Sequence, residues 1–440
     1  MSSRLPPDPG PGPAGAGSLT LDRLPVARVS ALTALRGRWF AWRDALLGSA
    51  RFQAWSSAFP LTRPMARRRA NQLFDLCAGF VYSQILLACV ELDLFDRLRK
   101  GPRSAEELAA ELSIDAAALD RLMTAAAAIR LLRIEVYDPA MRYGLGDLGA
   151  ALIGNPGVIA MIRHHRLLYQ DLRDPVAMLR GERLSDAGRS ADAHGASLSG
   201  FWPYAKGADP AGLTTDRIER YTALMAASQD LIARQVIAAY PLARQSHLLD
   251  VGGGDGTFLA AVASAHPLLQ LSLFDLPAVA DIARARSAER GLSARIQVHG
   301  GSFVANDLPT GADIVSLVRI VHDHDDGTVR RLLRAVNRAL PPGGVLLIAE
   351  PMAGTRGGEA IADAYFGMYL LAMGSGKARR LSAMTQLLAE AGFDAPRRHS
   401  THLPALVRVI TCRKLHDLAD AGRAFHKVPA IDPSRNNSSI

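Results

Sequence analysis

The second half of the chain alternates short apolar runs with segments of helical spacing. Short apolar runs bounded by turn residues predict strands buried on both faces, as in a parallel sheet covered by helices. This pattern therefore predicts an α/β domain over residues 241–415. Its strands are expected at 248–251, 271–274, 296–299, 314–318, 345–349 and 407–411.

Residues 66–150 have the pattern of a small helical domain that ends in a hairpin. Ser104 precedes two glutamates, which marks a helix N-terminus. A further helix over 116–130 is followed by two strand-like runs within 131–145. Helices followed by a hairpin are typical of a winged helix. The helix at 116–130 is too apolar to read DNA, so we expect it to pack in a core or a dimer interface.

The flanking segments differ in composition. Residues 1–20 and 416–440 are predicted to be disordered tails, because they hold too few apolar side chains to offset the entropy of ordering. Residues 151–240 are mostly helical in pattern, and we expect them to connect the domains and line a substrate pocket.

An N-terminal arm is predicted over 21–65, where three of the four tryptophans lie among arginines. We interpret it as a segment that packs its aromatic side chains on the protein or on a partner subunit. The alternative is a basic amphipathic helix that lies on a membrane surface. Both interpretations stay open at this point.

Composition is that of a globular protein, with 49% hydrophobic and 21% charged residues. The net charge of +9 permits a nucleic-acid or anionic-membrane partner. Arginine is spread along the chain, however, and the one tight cluster, 67–69, is short, so we expect no nucleic-acid partner. No secretory signal or membrane-spanning helix is expected. The three scattered cysteines are interpreted as buried thiols.

A glycine cluster follows the first strand of the α/β domain. The run Asp250-Val251-Gly252-Gly253-Gly254-Asp255-Gly256 leads into a helix, and Asp275 ends the next strand. Glycine lets the backbone approach a ligand, and free N–H groups at a helix start favour polar ligand groups. An acid about 20 residues further on suits ribose hydroxyls. The spacing alone would fit NAD, but this pattern favours S-adenosylmethionine (SAM).

A histidine follows the strand at 314–318, at the sheet edge where ligands of open α/β sheets bind. Neutral imidazole accepts protons near pH 7, so His322 is a candidate general base, with Glu350 as the acid that orients it. The plainer interpretation is a helix-start residue in a polar loop. Asp325 and Asp326 are interpreted as solvated caps of the next helix. The loop's side chains are too closely spaced to converge on an ion, so no metal site is expected.

A helix over 365–373 is apolar nearly all round. Some of it is core, and the functional interpretation is the wall of a pocket for a long apolar substrate. The candidate wall residues are Met225, Tyr365, Phe366, Tyr369 and Met373.

The motifs within 248–412 occur in an order that resembles the class I SAM-dependent O-methyltransferases, in the group that includes plant phenol methyltransferases. The resemblance covers about residues 66–412. It implies a Rossmann-like SAM-methyltransferase sheet, a mostly helical winged-helix N-terminal dimerisation domain, a homodimer and SAM as cofactor. The motifs are Leu-Leu-Asp-Val-Gly-Gly-Gly-Asp-Gly, Leu-Phe-Asp-Leu-Pro, His-Asp-His-Asp-Asp, Leu-Pro-Pro-Gly-Gly and Ala-Glu-Pro.

The resemblance also implies roles for single residues. His322 aligns with the catalytic base and Glu350 with its orienting acid. Ala378 stands where plant relatives carry a second glutamate, and an alanine cannot orient an imidazole. Relatives usually have an aspartate at Ser302. The implied cofactor contacts are Gly252 and Gly254 for methionine and ribose, Asp275 for the ribose hydroxyls, Leu276, Ser302 and Phe303 for adenine, and Arg319.

Four stretches, at 58–64, 80–84, 316–319 and 371–376, are similar to the bacterial branch that methylates acyclic hydroxycarotenoids such as hydroxyneurosporene and demethylspheroidene. This similarity implies methylation of the tertiary C-1 hydroxyl of an acyclic hydroxycarotenoid, in the cytoplasm or at a membrane surface. One alternative is a phenol, quinol or bacteriochlorophyll methyltransferase. An alternative of another class is a winged-helix DNA-binding regulator that senses SAM.

Overall fold

The computed structural model describes residues 31–137, 140–181, 198 and 215–416. The predicted tails, apart from residue 416, lie outside the described residues, as does part of the predicted helical connector at 151–240. By internal contacts the chain divides after Val81 into two compact units.

The first unit is helical. It contains α1 (Ala31–Leu47), α2 (Ala50–Ala58) and the beginning of α3 (Arg63–Glu91). The Ser49 hydroxyl accepts from Phe52 N–H and caps α2. α3 runs across the arm boundary drawn at residue 65, because Pro64 lies in its first turn, where no intrahelical N–H is lost. Contrary to expectation, α3 is long and apolar enough to cross a membrane by length and composition.

The second unit begins with a winged-helix arrangement. The helices α4 (Leu94–Arg97), α5 (Ala105–Leu112) and α6 (Ala116–Ala128) precede an antiparallel hairpin of β1 (Leu132–Tyr137) and β2 (Ala140–Leu145). Ser104 forms the predicted capping box with Glu107. The apolar side of α6 is buried through Leu119, Met123 and Ala126, in agreement with a packing role.

Within the described residues, four α-helices lead to the main sheet. They are α7 (Asp147–Leu152), α8 (Pro156–Asp171), α9 (Pro175–Leu179) and α10 (Thr215–Ala239). α8 and α10 pack against each other, and Gly157 makes this approach possible: a Cβ there would lie 2.3 Å from the Ala227 carbonyl oxygen. The predicted helical connector is therefore helical where it is described.

The strands of the main sheet are β3 (His247–Val251), β4 (Gln270–Asp275), β5 (Ile296–Gly300), β6 (Ile314–Val318), β7 (Val345–Glu350), β8 (Arg397–His399) and β9 (Arg408–Arg413). They lie in the order β5-β4-β3-β6-β7-β9-β8. The five from β3 to β7 run parallel, and β9 pairs antiparallel with both β7 and β8 at one edge. Short β8 had no sequence signal.

Helices cover both faces of this sheet. Alternate residues of each central strand point to opposite faces, so Leu249 and Leu248 belong to two different apolar clusters. The helices after β3 are α11 (Thr257–Ala265), α12 (Pro277–Glu289), α13 (Asp326–Ala339), α14 (Phe366–Met373) and α15 (Leu381–Glu390). α13 and α15 pack on one face, and α10, α11 and α12 on the other. The expected Rossmann-like α/β fold is confirmed.

One expectation about the cysteines was wrong. Cys89 and Cys412 are buried, but Cys77 is exposed. It lies on α3, whose apolar residues in this stretch are largely exposed as well, so an apolar sequence context did not imply burial.

Candidate active site

The candidate site lies where the strand order reverses. β3 and β6 are neighbours in the sheet although β4 and β5 separate them in sequence. The chain leaves β3 and β6 in opposite directions, which opens a crevice at their carboxyl ends. Two loops begin there. The glycine loop (residues 252–256) follows β3, and the His322 loop (residues 319–325) follows β6.

The glycine loop requires glycine for two different reasons. Gly252 has φ of 75°, and a Cβ on it would lie 2.4 Å from Ile320 Cδ1. Gly254 has φ of 58°, but a Cβ there would meet no atom within 4 Å. Gly252 is thus fixed by packing, whereas Gly254 borders open space that a ligand can occupy.

Asp275, at the end of β4, lies beside this loop. Gly254 N–H donates to its Oδ2 at 2.8 Å and Leu276 N–H to its Oδ1 at 2.7 Å. Burial raises the pKa of Asp275 to about 6, although these two hydrogen bonds act in the opposite direction. The carboxylate therefore holds the loop in place, next to the half-buried Leu276.

Asp250, the first residue of the glycine motif, is buried within β3. The Ser316 hydroxyl donates to its Oδ1 at 2.6 Å, and burial raises the pKa of Asp250 to about 7. Ser316, which lies in one of the four stretches of the sequence resemblance, thereby joins β6 to the start of the glycine loop.

Ser302 and Phe303 follow β5. Asn306 Oδ1 accepts from Ser302 N–H, and Val304 N–H donates to the Ser302 hydroxyl. The ring of Phe303 meets His324 edge to face with centroids 5.4 Å apart. The structure thus links Phe303 to the loop that carries His322.

Arg319 has a left-handed backbone, with φ of 61°, at the first position after β6. Its N–H donates to the Ala349 carbonyl, which extends the β6–β7 pairing. Its guanidinium donates to the Ser228 hydroxyl at 2.7 Å and lies 3.5 Å from Met225 Sδ. Arg319 therefore connects the candidate site to α10, where the predicted pocket residue Met225 lies.

His322 lies between two carboxylates. Glu350 Oε2 accepts from the His322 backbone N–H at 3.0 Å and is 3.3 Å from Nδ1. Asp323 Oδ1 is 3.1 Å from Nε2. His322 is 4% exposed and Glu350 0%. Among the described residues, Glu350 Oε1 has no hydrogen-bond partner.

These neighbours determine the charge of the imidazole. Burial disfavours the charged form, and the positive charge of Arg319 acts in the same direction, but Asp323 and Glu350 outweigh both and raise the pKa of His322. Sequence reasoning did not assign Asp323 to the site. Its adjacency to His322 was visible, but its orientation was not.

The segment 376–379, which carries Ala378, supports the backbone of the His322 loop. A Cβ on Gly376 would lie 2.2 Å from the His322 carbonyl oxygen, and Lys377 N–H donates to that oxygen. The Arg379 side chain is 1% exposed. It donates to the carbonyls of Val321 and His324, each at 2.7 Å, and to the Asp326 carboxylate.

These contacts correct one expectation. Asp325 does cap α13, since its Oδ1 accepts from Thr328 N–H at 2.9 Å. Asp326 is not a solvated cap, because Lys377 and Arg379 both bind its carboxylate and lower its pKa. Ala378 itself packs at the edge of an apolar cluster.

That apolar cluster contains or adjoins four of the five predicted pocket residues, and the fifth, Phe366, contacts the Tyr365 ring. The Phe366 ring meets the His322 imidazole edge to face at 6.1 Å and the Tyr365 ring at 5.1 Å. A π-helical turn, Ala360–Tyr365, precedes α14. Tyr369 and Met373 are buried in the same cluster, with Met225 and Tyr365 packed against it. An aromatic wall therefore adjoins the candidate base.

Two histidines of α8, which sequence reasoning missed, support this wall. His164 Nε2 lies 2.9 Å from the Tyr369 hydroxyl, and His165 Nε2 lies 2.7 Å from the Tyr365 hydroxyl. Burial lowers the pKa of both histidines, that of His164 to about 4. Both are therefore neutral at pH 7. The sequence signal that could have identified them is the pair of adjacent histidines within an otherwise apolar helix.

The predicted residues thus lie around one edge of the sheet, and their individual roles stay predictions. Within the described ranges, no group of three or more His, Cys, Asp or Glu side chains is placed to hold a metal ion.

Two family models match the chain. A model of the O-methyltransferase domain matches residues 169–394, and a model of the O-methyltransferase dimerisation domain matches residues 74–155. The chain belongs to the O-methyltransferase family. The match to the dimerisation domain supports the expected homodimer of this methyltransferase.

Two curated relatives cover most of the methyltransferase. The demethylspheroidene O-methyltransferase of Cereibacter sphaeroides is 42% identical over 79% of this chain and 88% of its own. That of Rhodobacter capsulatus is 39% identical over 81% of this chain and 85% of its own.

Solved structures share the fold. Human N-acetylserotonin methyltransferase, solved with SAM, matches with a TM-score of 0.65 at 23% identity, over 79% of this chain and 98% of its own. A mitomycin 7-O-methyltransferase matches with a TM-score of 0.64 at 26% identity, over 80% of this chain and 99% of its own.

Proposed function

We propose that the enzyme transfers a methyl group from SAM to the tertiary C-1 hydroxyl of an acyclic hydroxycarotenoid. The observation that carries this substrate is the 42% and 39% identity to two relatives named for demethylspheroidene. The aromatic and apolar wall beside His322 supports it, because a long polyene needs an apolar pocket.

The glycine loop is the proposed SAM site. Open space beside Gly254, the buried carboxylate of Asp275 and the half-buried Leu276 offer a close backbone approach, a hydroxyl acceptor and an apolar contact. Ser302 and Phe303 are proposed at the adenine, and Arg319 at the edge of the site toward α10. When bound, the cofactor supplies an electrophilic methyl group carried on a sulfonium.

His322 is the proposed general base, and Glu350 its orienting acid. A tertiary alcohol is too weak an acid to ionise before attack, so the imidazole must take the proton during or after methyl transfer. His322 can do so only when it is neutral, at pH values above its raised pKa. Asp323 then stabilises the imidazolium that forms, as Glu350 does from the other side.

A phenol or quinol is the second candidate substrate. The planar rings of Tyr365, Phe366 and Tyr369 would stack on an aromatic substrate as well as on a polyene. For either substrate, we propose a cytoplasmic enzyme. The carotenoid proposal adds contact with a membrane, because such a substrate dissolves in lipid.

Labelled-methyl transfer tests the proposal. Purified enzyme is incubated with labelled SAM and, separately, acyclic hydroxycarotenoids, a phenol, a quinol and a chlorin, with His322→Ala as the control. We expect label in a hydroxycarotenoid, with a mass gain of one methylene unit. Transfer to the phenol or quinol alone would establish the second candidate, and transfer to the chlorin alone would reject both.

A further inference from the structure

Residues 31–73 join the described part of the predicted N-terminal arm to the first turns of α3. This segment, called the arm below, concentrates the positive charge of the chain. It holds eight arginines and one aspartate, a net charge of +7, whereas the whole chain carries +9. The match to the dimerisation domain begins only at residue 74. The arm therefore lies outside the segment that matches the dimerisation domain.

Large apolar side chains of the arm are exposed. On α1, Leu35, Trp39 and Trp42 are spaced i, i+4, i+7 and share one helical face, with exposures of 65%, 56% and 56%. Arg38 and Arg43 flank this face on its two sides. Trp55, on α2, is 51% exposed and stacks on Phe59 with centroids 5.1 Å apart.

A cleft of about 570 Å³ lies at the beginning of α3. Arg63, Arg67 and Arg68 line it together with Asp75 and uncharged polar and proline residues. Three guanidinium groups around one cleft suit a phosphate-bearing headgroup.

We infer that the arm docks on the surface of an anionic lipid bilayer. Tryptophan side chains favour the membrane–water interface, and arginines near a surface are attracted to anionic lipids. A second copy of the arm is not the expected partner, because two arms that each carry a net charge of +7 would repel each other. A nucleic-acid duplex would match the charge but leave the tryptophan face exposed to water. This inference deepens the proposed function, since a lipid-dissolved substrate gives the enzyme a reason to dock.

Vesicle co-sedimentation of the full-length enzyme tests the inference. The vesicles are phosphatidylcholine alone or phosphatidylcholine with phosphatidylglycerol. We expect binding to the anionic vesicles only, weakened by salt. Replacing the three cleft arginines, Arg63, Arg67 and Arg68, together by Gln should weaken it by about 100-fold. The matched control replaces Arg284, Arg286 and Arg338, which are exposed in the second unit, and should bind like the wild type.

A second variant tests the aromatic part. Trp39→Ala with Trp42→Ala should reduce binding, and the quenching by brominated lipid should fall to what Trp55 alone contributes. Equal binding to both vesicle types, no binding to either, or equal losses in the control would overturn the inference. So would a change of oligomeric state in either arm variant, which would assign the surface to a second copy, or tighter binding to DNA than to anionic vesicles.

Methyl transfer to detergent-dissolved substrate separates this inference from the proposed function. The arm variants should retain wild-type transfer there, because detergent replaces the membrane. Vesicle binding without any transfer to a carotenoid would contradict the substrate and leave the docking surface intact. Transfer to a carotenoid without vesicle binding would support the substrate and contradict the docking surface.

Discussion

Asp323 Oδ1 lies 3.1 Å from His322 Nε2, on the opposite side of the imidazole from Glu350. The plant-type relatives that the sequence resembles carry a second glutamate where this chain has Ala378. Asp323 provides a second carboxylate from within the histidine loop itself. The candidate base is therefore bracketed by two acids in spite of the alanine.

Asp323→Asn should shift the pH dependence of activity. The Asp323 carboxylate raises the pKa of His322, so its removal lowers that pKa and leaves the base neutral at lower pH. We expect the acidic limb of kcat/KM to move to lower pH. Asp325→Asn, which removes a nearby charge that does not contact the imidazole and leaves an oxygen to cap the helix, is the control and should leave the limb in place. An unmoved limb in Asp323→Asn would assign it to another group.

His322→Ala should abolish most turnover while the affinity for SAM is kept. General-base loss costs about 10²–10⁴ in rate, and the imidazole lies outside the proposed SAM loop. Single-turnover rates and calorimetry with SAM measure the two effects. Full activity in this variant would reject the assigned base.

Arg379→Ala should destabilise the enzyme by about 3–5 kcal/mol, because it removes a buried cation and leaves two carbonyls and the Asp326 carboxylate without that partner. Turnover should fall as well, since the same carbonyls belong to the His322 loop. Arg380→Ala is the matched neighbour. Its side chain is 69% exposed and its ion pair spans 3.8 Å, so its removal should cost less than about 1 kcal/mol. Denaturant unfolding compares the two, and equal losses would show that the buried contacts do not support the loop.

Two glycine variants should separate stability from SAM binding. Gly254→Ala has room for its Cβ, and we expect a cost of about 1–2 kcal/mol from the left-handed backbone together with a large loss of SAM affinity. Gly252→Ala adds a clash with Ile320, so its stability should fall by about 1–3 kcal/mol more. Thermal unfolding with and without SAM measures both. Undiminished SAM affinity in Gly254→Ala would place the ligand elsewhere.

His164 should make the fold sensitive to acid. Burial lowers its pKa to about 4 in the folded state, while an unfolded histidine titrates near 6.5. The unfolded state thus binds more protons between these values, and stability that is complete above about pH 6.5 is lost as the pH falls toward 4. This loss amounts to about 3 kcal/mol. His164→Gln should reduce the difference between the unfolding free energies at pH 7 and pH 4. An unchanged pH dependence in this variant would contradict the role of His164.

The amino-acid sequence determined the order of elements and the location of the site. Apolar runs located the parallel strands within one or two residues, because strands buried on both faces need continuous apolar sequence. The glycine loop, Asp275 and His322 could be placed at one edge, since the carboxyl ends of parallel strands meet there. Glu350 followed from the same rule, at the end of β7.

Only the tertiary structure decided which side chains face one another. Asp323 is next to His322 in sequence, but the turn after β6 sets its carboxylate against Nε2. Arg379 reaches the His322 loop from over fifty residues further along the chain. The hydroxyls of Tyr365 and Tyr369 meet histidines about two hundred residues earlier. Hydrophobic periodicity records whether a position is buried, whereas a contact between distant residues depends on how whole helices and strands pack, which local sequence does not encode.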